Sequence, residues 1–97
     1  MISNGTDEAL VILAEECSEV IQAVAKIHRW GPDSWYNSDH SNLEHLATEL
    51  GDVLAIIDIA VDQLGIDPKV VQEAATRKKS KLLKYSWFLT HYGINNC

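Results

Sequence analysis

The chain has 97 residues, of which 46% are hydrophobic, and a formal net charge of −6. That length makes a single domain, and the hydrophobic share excludes a disordered chain. The acidic balance excludes a general nucleic-acid binder, whose footprint would be basic.

No segment alternates with period two for long enough to make a strand, so the chain reads as all-α, an antiparallel bundle of three helices. The single domain covers residues 1–97, with its core over about 6–90 and a loose tail at 91–97. The first helix is predicted over residues 7–30, with Thr6 as N-cap, Asp7 and Glu8 at the positive end of the dipole, and Gly31-Pro32 as its stop. A polar connection over 31–40 carries Trp35 and Tyr36. Ser41 opens the second helix, where Glu44 completes a capping box, and Gly65 closes it. Asp67-Pro68 supplies an N-cap and a first-turn proline for the third helix, which runs into the high eighties.

Two acidic runs stand out, Glu15-Glu16-Cys17-Ser18-Glu19 and Glu49-Leu50-Gly51-Asp52. Residues three apart share a helix face, so Glu16/Glu19 and Glu49/Asp52 are two matched carboxylate pairs. Both lie in apolar segments, where an ionised carboxylate is expensive unless something neutralises it. On helical phase, Ala9, Ile12, Val20, Ala23 and Ile27 form one apolar stripe with Glu16 on its centre line, Glu19 close beside it and Glu15 at its edge. Leu10, Cys17, Ile21 and Val24 form a second stripe.

The second helix repeats this duality. Leu43, Leu46, Leu50, Leu54, Ile57, Val61 and Leu64 read as its core face, and His45, Glu49, Asp52, Ile56, Ile59 and Gln63 lie almost opposite. A helix apolar on two sides needs two packing partners. Three helices scarcely supply them, so a homo-oligomer is expected, which also suits a domain this small. On the third helix Lys78 sits within the stripe Val71, Ala74, Leu82, Tyr85 and Leu89, with Lys81 beside it. Such a lysine either snorkels to water or enters a cleft to meet anions.

Four converging carboxylates most simply mean a hard divalent cation, and magnesium typically joins a few carboxylates to substrate phosphates. Manganese is the expected substitute. Glu15, at the rim, is placed to orient or deprotonate a water, and the lysines balance phosphate charge. A di-iron site is less well supported, because neither acidic run ends in the histidine of a Glu-x-x-His pair.

Glu-Glu-x-x-Glu followed by Glu-x-x-Asp on consecutive helices resembles the MazG-like all-α nucleoside triphosphate pyrophosphohydrolases, relatives of the dimeric dUTPases. The resemblance covers about residues 10–85. It implies that Glu16, Glu19, Glu49 and Asp52 bind magnesium and that Lys78 faces phosphate. It also implies hydrolysis of a nucleoside triphosphate to monophosphate and pyrophosphate, as a dimer or a dimer of dimers, clearing unwanted nucleotides. The tryptophan-bearing connection departs from the pattern, so no base specificity is carried over. Trp30, Trp35 and Tyr36 offer stacking faces and Asn42 an amide to read a base edge; packing or dimer contact is the competing role for the aromatics.

A different class stays open: a non-catalytic helical dimerisation or regulatory module, with carboxylates solvated or paired with lysines and no metal. A third reading is a phosphate-ester hydrolase that releases no pyrophosphate. His28 and His45 read as surface or satisfied polar groups, Asp58 and Asp62 as solvated, and Cys17 as a small buried hydrophobe. Trp87 and Phe88 read as part of a packed C-terminal helix. Two cysteines, Cys17 and Cys97, make no disulfide framework. No basic-then-apolar leader and no membrane-length apolar run is present, so the expected location is the cytoplasm, without a membrane partner.

Overall fold

The computed structural model of the protein describes residues 2–89. The predicted loose tail beyond Leu89 and the terminal Cys97 lie outside them. Three helices follow in order, α1 (Gly5–Trp30), α2 (Asn42–Gln63) and α3 (Pro68–Tyr85). Among the described residues there is no strand, only an isolated bridge between Trp35 and Ser41. The chain divides into two compact units, one ending at Gly65 and the other beginning at Ile66.

Local chemistry accounts for most helix ends. Ser41 caps α2 by accepting from the Glu44 amide, while Glu44 reaches back to the Ser41 N–H. Those hydrogen bonds, the one from the Ser41 backbone first, hold the Glu44 carboxyl below its ordinary value. Asp67 accepts from Lys69 at the start of α3, with Pro68 in its first turn. Gly31 ends α1 at φ 92, a backbone region that favours glycine, and Gly65 follows α2 at φ 67.

Two bounds differ from expectation. Asn4, not Thr6, caps α1: its side chain accepts from the Asp7 amide at 2.8 Å, and Thr6 instead donates to the Gln63 carbonyl at 3.2 Å. At the other end of the chain α3 stops at Tyr85, capped by Ser86, so Trp87 and Phe88 fall beyond the helix and are exposed.

Within the first unit α1 and α2 form an antiparallel hairpin. Thr6 meets Gln63 at one end, and Asn42 donates to the Gly31 carbonyl at the other. The α1 stripe is as predicted: Ala9 and Ala23 are buried, and Ile12, Glu16, Val20 and Ile27 are half-buried. The faces of α2 need correction. Asn42, His45, Ile56 and Ala60 are the buried positions, whereas Leu43, Leu50, Leu54 and Leu64 are exposed. Of the predicted leucine core face only Leu46, Ile57 and Val61 are half-buried, and the acid-bearing face packs on α1. Alanines at positions 9, 23 and 60 let the two helices approach closely, which a seam of leucines would prevent.

Within the single chain Leu10, Ile21 and Val24 of the second α1 stripe are exposed, and so is Cys17, against its expected burial. Asp58, Asp62 and His28 are exposed as expected. In the second unit no α3 residue is buried, and Lys78 and Lys81 are exposed. No helix is long and apolar enough to cross a membrane, among the residues described.

Candidate metal centre

The pairing of α1 with the acidic face of α2 brings three carboxylates together. Glu16, Glu49 and Asp52 each offer an oxygen within 4.8 Å of the others. Glu16 and Glu49 are half-buried and Asp52 is exposed, so the cluster opens to solvent on one side. Glu19 is exposed and stands outside the cluster, a correction to its predicted inward orientation. It lies on the flank of the α1 line, and only α2 covers that line within this unit. Glu15 is exposed, as its phase at the stripe edge implied.

Electrostatics mark Glu16 as the strained member. Loss of hydration raises its carboxyl above the ordinary glutamate value, and the charges of Asp52, Glu49, Glu19 and Glu15 raise it further, in that order. Among the described residues no lysine or arginine pairs with the cluster; its polar neighbour is His45, whose Nε2 lies 3.1 Å from Glu49 Oε1, at hydrogen-bond distance. Crowded carboxylates with oxygen donors only and no lysine or arginine paired to them among the described residues fit a hard divalent cation.

This strain has a measurable consequence without any metal. A carboxyl whose pKa is higher in the folded state than in the unfolded state binds more protons when native, so ionising it costs stability. The Glu16 contribution to metal-free stability therefore falls as pH rises from the ordinary glutamate range through its raised value. Glu16→Gln removes that loss. In chelator at neutral pH the variant should melt above the wild type, and the gap should close in acid, below the ordinary glutamate range. A wild type that melts as high as the variant at neutral pH would show that the carboxylates do not repel.

The connection between α1 and α2 folds over the His45 side of the cluster. Asn37 Oδ1 accepts from the amides of Asp39 and His40, and the Tyr36 amide donates to the His40 carbonyl at 2.8 Å. The Asn42 amide N–H donates to Ser34 and the Leu43 N–H to Pro32, which pins the loop to the start of α2. Asn42 itself is buried, with its side-chain amide given to the Gly31 carbonyl at 3.1 Å, a correction to its expected role of reading a base edge with that amide. Trp30 and Trp35 are 65% and 70% exposed, so their indole faces are open to a ligand. Arg29 lies 5.6 Å from the Trp30 ring centroid.

Sequence reasoning missed His45 as a part of this site. It is buried, it pairs with Glu49, and the Tyr36 ring stacks on it at 3.7 Å with 4° between planes. The signal was available, since a histidine four residues before a glutamate shares its helix face.

The model for the MazG nucleotide pyrophosphohydrolase domain matches residues 5–85 of this chain. No curated protein and no solved structure matches it.

Proposed function

The chain belongs to the MazG nucleotide pyrophosphohydrolase domain family, and from that premise we propose that it hydrolyses nucleoside triphosphates to monophosphate and pyrophosphate with magnesium. The observation that carries this reading is the convergence of Glu16, Glu49 and Asp52 on one open-sided cluster. These three would hold the cation. Glu19 is the proposed fourth ligand, one turn along α1 from Glu16 and near enough for its charge to raise the Glu16 carboxyl. When bound, magnesium or manganese supplies charge neutralisation for the phosphates and lowers the pKa of a coordinated water.

The remaining roles fall to the chain's own side chains. Glu15 orients the attacking water and takes its proton. The water oxygen bonds to the α-phosphorus, the bond from that phosphorus to the bridging oxygen breaks, and pyrophosphate departs. On the sequence argument alone, Lys78 and Lys81 of α3 are proposed to balance the phosphate charge.

Trp30 and Trp35 are proposed to stack on the base, with Asn42 holding the loop that carries Trp35. Stacking tolerates any base. Trp30→Ala or Trp35→Ala should therefore raise KM for all triphosphates alike in steady-state kinetics, and an unchanged KM in both would place the base elsewhere. The cellular purpose that suits this chemistry is clearing unwanted nucleotides in the cytoplasm.

The functional unit is proposed to be a homo-oligomer. Leu43, Leu50 and Leu54 on α2 are 53%, 47% and 66% exposed, and Ile21 on α1 is 69% exposed. So many large apolar side chains in water are a liability for a lone chain. Light scattering should give at least twice the 10.8 kDa chain mass, and the double variant Leu50→Glu, Leu54→Glu should reduce it. A compact wild-type monomer at micromolar concentration contradicts this.

The deciding assay is a panel of ribo- and deoxynucleoside triphosphates incubated with magnesium. Monophosphate and pyrophosphate as products support the reading. Phosphate release without pyrophosphate, or no turnover of any nucleotide, overturns it.

A further inference from the structure

We propose that His45 is a positioning residue for Glu49, held in place by Tyr36 of the interhelical loop; this rests on the metal-centre reading above. His45 is 9% exposed and its Nε2 lies 3.1 Å from Glu49 Oε1. A carboxylate accepts, so Nε2 carries the proton and donates. The other ring nitrogen, Nδ1, is buried with no hydrogen-bond partner among the described residues. A buried imidazole with one nitrogen unsatisfied is a costly way to fill space, and an apolar side chain would fill it without that penalty. What the imidazole provides here, and a leucine would not, is the hydrogen bond to Glu49.

Only that one hydrogen bond directs the ring, so its plane must be set by packing. Tyr36 sets it, lying parallel at 3.7 Å, with the Lys26 ammonium 4.7 Å from the Tyr36 ring centroid. The loop hydrogen bonds around Asn37 and His40 hold Tyr36 over the histidine. With Oε1 tied, the Glu49 side chain loses rotameric freedom while its carboxylate stands beside Glu16 and Asp52. A ligand ordered before the cation arrives does not spend binding energy on its own ordering, which is how outer-shell partners raise metal affinity.

The test uses Mn2+ as the probe, titrated into chelator-treated protein and followed by the electron paramagnetic resonance of the free ion. Circular dichroism melts run in parallel. His45→Leu keeps the packing and removes the donor, and should weaken Mn2+ binding about tenfold or more. His45→Gln can donate from nearly the position of the imidazole Nε2, and should recover most of that loss. Tyr36→Leu leaves the donor but frees the ring, and should weaken binding several-fold. At saturating magnesium, His45→Leu should lower kcat more than it changes KM for the triphosphate.

Wild-type Mn2+ affinity in His45→Leu overturns the proposal, and so does His45→Gln binding no better than His45→Leu. Should His45→Leu fail to fold, the remaining pair decides: Tyr36→Leu weaker than His45→Gln supports positioning, and both equal to wild type refutes it. A wild type that takes up no Mn2+ at all removes the metal centre itself, a result distinct from all of these.

Discussion

Glu49→Gln and Asp52→Asn should each cut magnesium-dependent turnover roughly 100- to 1,000-fold while leaving helical circular dichroism nearly unchanged. The magnitude follows from the several kcal/mol of transition-state charge stabilisation a bound cation supplies, each ~1.4 kcal/mol being a factor of ten. The selectivity for activity over folding follows from position. Asp52 is exposed, and Glu49 sits half-buried beside other carboxylates, so neutralising either removes repulsion and leaves no cavity. Both amides keep the shape of the acid they replace. Steady-state kinetics over a magnesium titration, with melts in chelator, separate the two effects. Full turnover in either variant, or turnover that persists in excess chelator, rules out a metal-dependent site built on this cluster.

Ile56→Lys should abolish the cooperative melt. Ile56 is 5% exposed on the face where α2 meets α1, one turn beyond Asp52. A charge there costs several kcal/mol, because the buried ammonium loses its hydration and the lysine displaces packed methyl groups. A small domain has about 5–15 kcal/mol of stability in total, so the loss is a large fraction of it. Ile56→Ala, which leaves a cavity without a charge, should cost about 2–4 kcal/mol and stay folded. Ile59→Lys is the control on the same helix. Ile59 is 53% exposed, and its replacement should leave the α1–α2 pair helical. Denaturant unfolding followed by circular dichroism orders the three variants. Ile56→Lys as stable as Ile59→Lys would mean that α1 and α2 do not pack on the acidic face.

What could be read from sequence was whatever neighbours in the chain decide. Ser41 with Glu44, Asp67 with Pro68, and Gly31 after Trp30 act within one helical turn, so α2, the start of α3 and the end of α1 were legible. The centre line of α1, with Glu16 on it, was legible because it is a matter of phase alone. The N-terminus of α1 was not. Asn4 and Thr6 are both good caps, and the choice between them goes with the Gln63 carbonyl, far along the chain, which takes the Thr6 hydroxyl.

Helix α2 was the harder case. Its two faces were both apolar enough to be the core, and periodicity has no means to rank them. Tertiary packing chose the acidic face, where His45, Ile56 and Ala60 are buried and the small Ala60 admits a close helix. Leu43, Leu50, Leu54 and Leu64 were thereby left exposed, and Glu19 was left on the flank with only its charge reaching the cluster. His45 had a local signal in its spacing from Glu49, but its burial and its plane depend on Tyr36, brought over it by a loop whose shape the sequence pattern does not encode. Local chemistry determined most of the points where the helices begin and end, and the docking of one helix on another decided which of their faces could hold a metal.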